Sequence, residues 1–423
     1  MRRLLWLLIL IAGSAADSAA AQSTVLKTDL GIYKEPTLPS LPQAGSRAID
    51  PTFGTTIMRL TDGADGNTDC QVNYANRATF NTDSTWAQGR CSYSGSNIAK
   101  FYTFDPSTFT ARSSYKLTNF SPDGKLDVSF MHWSGVDPKL IFGMSYSNKI
   151  WSYNVETKVY TLIKDLSGSV PSGYNLSQMM KDESDNTFSF TLSSGSSGVY
   201  GGYIVWRRST NSILLSRVES DIDEVELDKS GRYLAVLYDS VNNNRVWDLQ
   251  TQASTYIPES NSASFSHRGM GTGKMGNISP HGSYFSLRDL SSPTNITKIL
   301  SGAFNFSQGS HTATMPNNES WVLISQYNET GGGVNKVFDN EITQIALDGS
   351  NRVRRIAHHR SVYNDYNDTP RANISRDGKF IAFTSNWGNA SGRRDIYIVQ
   401  VPPAVDGDSK SLAPSAPKNL RVQ

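Results

Sequence analysis

The sequence predicts an all-β chain, a seven-bladed β-propeller of four-stranded antiparallel blades closed by an N-terminal strand. Three observations lead there. A polar turn occurs seven times: Thr82-Asp-Ser-Thr-Trp, Ser121-Pro-Asp-Gly-Lys, Asp182-Glu-Ser-Asp-Asn, Asp228-Lys-Ser-Gly-Arg, Ser279-Pro-His-Gly-Ser, Pro316-Asn-Asn-Glu-Ser and Ser375-Arg-Asp-Gly-Lys. An apolar, β-branched or aromatic run follows most copies, as Phe380-Ile-Ala-Phe-Thr does the last, and suits a strand buried on both faces. The turns recur at ~40 to 60 residues, which overlaps the ~40 to 50 of four-stranded blades once loops are longer. A β-helix coil is too short for that period, and a sandwich lacks so regular an internal order.

In chain order, residues 1–21 read as a secretory signal peptide. Met1-Arg-Arg precedes an apolar run from Leu4 that is too short to span a bilayer, and small residues stand before Gln22. Residues 22–53, with Pro36, Pro39 and Pro42, read as an extended surface lead-in. Residues 54–401 are assigned to the propeller. Its last strands are predicted at Phe101-Tyr-Thr-Phe, Ile150-Trp-Ser-Tyr, Val205-Trp-Arg-Arg, Val246-Trp-Asp-Leu, Asn295-Ile-Thr-Lys-Ile-Leu, Ile342-Thr-Gln-Ile-Ala-Leu and Asp395-Ile-Tyr-Ile-Val. The final copy lacks an outer strand, and Gly54-Thr-Thr-Ile-Met-Arg-Leu-Thr-Asp has the form to supply it and close the ring. Residues 402–423 are a Pro/Ser-rich linker, and Ser415-Ala-Pro-Lys-Asn-Leu-Arg-Val resembles the opening strand of a fibronectin type III domain.

With 40 basic against 38 acidic residues the net charge is +2, so nothing suggests the concentrated basic face that a nucleic-acid partner wants. Charged residues are 18% of the chain, and no later stretch is apolar enough to span a membrane. The expectation is an exported monomer, periplasmic or extracellular. Its two cysteines, Cys70 and Cys91, are expected to pair, since neither Cys-x-x-Cys nor His-x-x-x-His spacing supports a metal site. Gly271-Thr-Gly-Lys-Met-Gly matches a dinucleotide fingerprint, but no helix is predicted after it, so it reads as a loop. Ser194-Gly-Ser-Ser-Gly lacks the spacing of a nucleophile elbow.

Ser-Pro-Asp-Gly-Lys before an apolar strand, together with Asp395-Ile-Tyr-Ile-Val, resembles the propeller repeat of TolB-type and WD-like bacterial proteins over about residues 55–401. That resemblance implies fold and leaves function open. The histidines go further. His267, His311 and His359 stand about one blade apart, each upstream of an inner strand, with Arg268, Arg360 and Arg371 near them. This arrangement resembles the histidine-lined face of propeller-type polysaccharide lyases, notably oligogalacturonate lyases. The resemblance implies His267 as the base, Arg268 or Arg371 as partner of the substrate carboxylate, and His311 and His359 as metal ligands. Where those lyases place histidines before the final turn, this chain has Asp368-Thr-Pro-Arg-Ala-Asn. The alternative is that the histidines cap loops through backbone carbonyls. His132, and Trp151, Trp206 and Trp247, read as core residues, and His281 as surface.

Two functions follow. One is an exported binding or interaction module that presents a propeller face to a glycan or protein ligand and needs no cofactor. The other is a lyase that cleaves uronate-containing oligosaccharides by β-elimination, with a divalent metal entering only on this reading.

Overall fold

The computed structural model of the chain describes residues 26–117, 121–124, 126–194, 200–239, 243–257, 267–278, 284–302, 309–314, 317–328, 336–389 and 392–403. The signal peptide, the fibronectin-like start, the turn at Ser279 with His281, and most of the stretch after Ser194 lie outside them.

Strands β1 (Arg47–Ile49) and β2 (Thr56–Arg59) open the fold but belong to its last sheet. β3 (Asp69–Gln71), β4 (Trp86–Tyr93), β5 (Ser96–Asp105) and β6 (Thr110–Lys116) form the first antiparallel sheet. β7 (His132–Trp133), β8 (Leu140–Ser145), β9 (Lys149–Asn154) and β10 (Val159–Asp165) form the next. β11 (Asn175–Lys181), β12 (Thr187–Ser193), β13 (Tyr200–Arg207), β14 (Ser212–Leu227), β15 (Tyr233–Tyr238), β16 (Arg245–Asp248) and β17 (Ala253–Tyr256) run as one sheet of seven. β18 (Gly269–Met270), β19 (Lys274–Ile278), β20 (Phe285–Asp289) and β21 (Ile296–Ile299) follow as a sheet of four. Another four are β22 (Gly309–Thr314), β23 (Trp321–Tyr327), β24 (Glu341–Ala346) and β25 (Val353–His358). β26 (Asn373–Ile374), β27 (Phe380–Ser385) and β28 (Asp395–Gln400) end the chain of strands.

The molecule is therefore an all-β propeller. Five of the six sheets seen among the described residues are single blades of four or five strands, and the sixth is continuous over seven. The expected seven separate blades are not what the sheets show, and β14 is the reason. From Ser212 to Leu227 it carries neither glycine nor proline, so no turn interrupts it. Its first part pairs with β13 from Ser212 to Ile222 and its last part with β15 from Ile222 to Leu227.

Closure follows the expectation. β2 pairs antiparallel with β28, Thr56 opposite Gln400 and Arg59 opposite Tyr397, and β1 adds a fifth strand outside it. Asp395 ties the two chain ends: its carboxylate accepts from Arg59 Nη2 at 2.6 Å, from Thr61 Oγ1 at 2.7 Å and from Arg393 Nη2 at 2.6 Å. The lead-in is fastened along its course rather than merely resting on the surface. Trp387 Nε1 donates to the Pro39 carbonyl and Arg355 Nη1 to that of Gly31.

Central strands are buried throughout, as the apolar runs predicted: every residue of β15, β23, β24 and β27 is buried. Trp151, Trp206 and Trp247 belong to this packing, not to a surface platform. Gly378 takes φ +75° in the turn before β27, and its N–H donates to the Ser375 carbonyl. The Gly271–Gly273 segment is a tight loop between β18 and β19 with no helix after it. Cys70 and Cys91 face each other across β3 and β4 and are joined by a disulfide. No helix among the described residues is long and apolar enough to cross a membrane.

Candidate functional site

A cavity of about 280 Å³ collects residues from inner strands and their approach loops around the molecule: Tyr74, Arg77 and Arg90 from the first sheet, Phe130 and Gln178 from the next two, Asp223 and Glu224 from β14, then His267, Tyr366 and Arg371. Contributions from so many sheets place it on the axis around which they are arranged. A second cavity, of about 100 Å³, is lined by other inner-strand and turn residues, and its charges are engaged with one another. There Arg376 pairs with Glu183 at 2.5 Å and Lys229 lies 3.7 Å from Glu319.

Three guanidiniums set the character of the larger cavity. Arg77 follows the Tyr74–Arg77 turn, and its guanidinium lies over the Phe130 ring at 4.5 Å and the Tyr74 ring at 5.3 Å. Its Nε has no hydrogen-bond partner. Arg90, on β4, donates to Gln71 Oε1 at 3.0 Å and Ser129 Oγ at 3.3 Å. Arg371 donates to the same Gln71 oxygen at 2.9 Å and to the Asn367 carbonyl at 3.0 Å. Among the described residues none of the three is ion-paired to a carboxylate. Burial depresses all three, and in Arg90, lowered to about 10, the neighbouring Arg371 and Arg77 add to it. They remain cations at neutral pH. Burying a cation without a direct ion pair is costly, and three such guanidiniums together can receive an anion.

The same cavity also carries carboxylates. Glu224 Oε1 pairs with Arg268 Nη1 at 3.1 Å, and Arg268 Nε stands 3.0 Å from Glu226 Oε2. Glu226 is pushed up to about 7 by burial, against the pull of Arg268. Asp223 next to Glu224 is raised to about 6 by desolvation and by the charges of Glu224 and Asp239.

The residues suggested by sequence divide between inside and outside this site. His267 and Arg371 line the cavity. His311 lies behind His267, the two rings stacked at 4.3 Å, and its Nε2 is 3.2 Å from the Tyr366 hydroxyl, itself 3.0 Å from that of Tyr74. Burial, then His267 and Arg371, hold the His311 ring neutral. Arg268 is not open to a substrate carboxylate, because Glu224 and Glu226 engage it. His359 is not among the cavity-lining residues: its Nε2 bonds the Gln326 carbonyl at 2.9 Å and its Nδ1 accepts from Ser361 N–H at 3.0 Å. His267 Nδ1 likewise bonds the Ser310 carbonyl at 2.9 Å, and His132 Nε2 that of Met179 at 2.8 Å, as loop-capping histidines do.

A divalent metal does not fit these residues. Both ring nitrogens of His359 are used by the protein, and among the described residues no group of three or more His, Cys, Asp or Glu side chains could hold an ion. Sequence reasoning missed Arg77, Arg90, Asp223 and the Tyr74–Tyr366 pair. Arg90 had a signal, a lone arginine in the strand Trp86-Ala-Gln-Gly-Arg-Cys; Arg77 sits in a turn whose residues give none.

No protein-family model matches the sequence, and no curated protein matches it either. Solved structures do match. An oligogalacturonate lyase from Vibrio parahaemolyticus superposes with a TM-score of 0.62 at 12% identity, covering 84% of this chain and 96% of its own. An oligogalacturonate lyase in complex with manganese gives 0.62 at 12% identity over 86% and 98%. The WD40 repeats of RRP9 give 0.50 at 10% identity over 84% and 99%. At these identities the similarity is one of fold, and the fold is the β-propeller that lyases and WD40 proteins share.

Proposed function

We propose that this chain is an exported seven-bladed β-propeller whose axial cavity binds a carboxylate-bearing ligand of the uronate class. One observation carries the binding reading: Arg77, Arg90 and Arg371 meet at the cavity, and none of them forms an ion pair with a carboxylate of the described residues. Guanidinium is the side chain best matched to a carboxylate, since it donates two parallel hydrogen bonds. The cavity is close to the lower end of small-molecule sites, ~300 Å³, which suits one or two sugar units. The seven-stranded sheet counts as two blades that share the bent β14, which brings the blade number to seven. The Cys70–Cys91 disulfide supports export.

Titration of the mature protein with galacturonate oligosaccharides, followed by calorimetry, tests the site. Arg77→Ala is the most direct variant, because its side chain holds no hydrogen bond with the described residues, and it should weaken binding about tenfold, as loss of a charge-assisted contact does. Arg371→Ala should weaken it as well. Unchanged affinity in both variants, or no heat with the wild type, refutes the reading.

A second reading, β-elimination, is favoured by His267 standing in the same cavity as Arg371 and by the fold shared with oligogalacturonate lyases. The guanidinium would hold the carboxylate, His267 would take the proton beside it, and the bond to the leaving sugar oxygen would break to give an unsaturated uronate. Metal plays no part in this scheme. Pectic oligosaccharides should then develop the ultraviolet band of an unsaturated uronate, and His267→Ala should slow this by ~10²- to 10⁴-fold. Binding without any such band leaves the module reading alone.

A further inference from the structure

The acidic part of the cavity wall belongs to a peculiarity of β14. At Asp221 the backbone takes φ +68°, where L-residues are rare, and one residue later the pairing with β15 slips between Ile222 and Glu224. This is a β-bulge, which leaves Asp223 out of the ladder. Bulges re-aim side chains and are frequent beside functional sites. Here the bulge sits where the strand passes from β13 to β15, and it delivers two consecutive residues, Asp223 and Glu224, to one cavity; in a regular strand they would point to opposite faces. The two carboxylates differ in what they meet. Glu224 is engaged by Arg268, whereas Asp223 has no hydrogen bond or ion pair with the described residues and is open to solvent. Arg77, more than nine-tenths buried, brings to the same cavity an Nε without a hydrogen-bond partner.

From this juxtaposition we infer that the cavity selects a zwitterionic ligand, a small acid that also bears a protonated amine, with Arg77, Arg90 and Arg371 taking the carboxylate and Asp223 the ammonium. The inference rests on the carboxylate-binding reading above and deepens it. A cavity built only for acids has no use for a free carboxylate on its wall, because Asp223 would repel every such ligand. An ammonium turns that repulsion into a charge-assisted hydrogen bond. Asp223 is then a specificity-determining residue.

The test compares three probes of similar bulk by calorimetry at pH 7.5: D-galacturonate, 2-amino-2-deoxy-D-galacturonate, and the same amino acid sugar N-acetylated. The aminouronate should bind about tenfold more tightly than galacturonate, the gain of one charge-assisted contact, and N-acetylation should remove that preference. In Asp223→Asn the ratio of the two dissociation constants should fall to about one. The thermal midpoint should hold, since Asp223 has no hydrogen bond or ion pair with the described residues to lose. A ratio near one in the wild type overturns the inference, and so does a preference that survives Asp223→Asn. If galacturonate binds and Arg77→Ala weakens it while the amine adds nothing, only the zwitterion inference fails. If no probe binds, the carboxylate-binding reading fails with it.

Discussion

His359 shows what a buried histidine does when it is not a ligand. Burial lowers it to about 3, against hydrogen bonds that raise it, so the folded protein keeps the ring neutral while the unfolded chain protonates it near pH 6.5. Below pH 6.5 the unfolded state therefore binds more protons than the native state, and stability from this group is lost as pH falls towards 3. At pH 5 the loss amounts to about 2 kcal/mol. Glu341, raised to about 7 by burial beside Arg355, works in the opposite direction between about pH 4.5 and 7. The two are separated by substitution. His359→Gln should lower the thermal midpoint at pH 7, because the bonds to Gln326 and Ser361 are disturbed, yet the difference from wild type should narrow at pH 5. A difference that is the same at both pH values would show that His359 does not carry the linkage.

At the scale of the element, β3 is only three residues long, and the disulfide supplies what its few ladder bonds do not. Cys70 and Cys91 are fully buried, are directly opposed in the register and close a loop of sequence separation 21. Reduction, or Cys70→Ser with Cys91→Ser, should cost ~3 kcal/mol in the chain-entropy account. Intact mass without reductant should be two hydrogens lighter than with it, and an unchanged thermal midpoint after reduction would remove the disulfide from the stability argument. β14 shows the converse case, in which a long element without turn residues joins two sheets and places its irregularity at the cavity.

For the whole molecule, the ring is closed by pairing residues more than 300 positions apart, which makes the N-terminal segment part of the last blade. Deleting residues 54–62 should expose the outer edge of β28 and strip Asp395 of Arg59 and Thr61, leaving a buried carboxylate with only part of its partners. The expected outcome is a lowered thermal midpoint and a broadened transition by circular dichroism. Equal midpoints for the truncated and full chains would mean that the ring does not depend on this closure.

The sequence by itself determined the class of fold, the central strands, the disulfide and the closing strand, because each of these is written in short-range signals: the Ser-Arg-Asp-Gly-Lys turn, the apolar run Phe380–Thr384, two cysteines alone, an orphan strand before the first blade. It also pointed to His267 and Arg371, which do meet in one cavity. Only the tertiary structure decided which charges stand alone. Arg268 and Arg77 look alike in the sequence, but one is held between Glu224 and Glu226 and the other forms no ion pair with the described residues and leaves its Nε without a hydrogen-bond partner. His359 has the spacing of a ligand and is consumed by Gln326 and Ser361. Pairing of this kind runs between residues tens to hundreds of positions apart, across an axis that no local pattern encodes. The energy of a buried charge depends on those partners and not on its own neighbours in the chain.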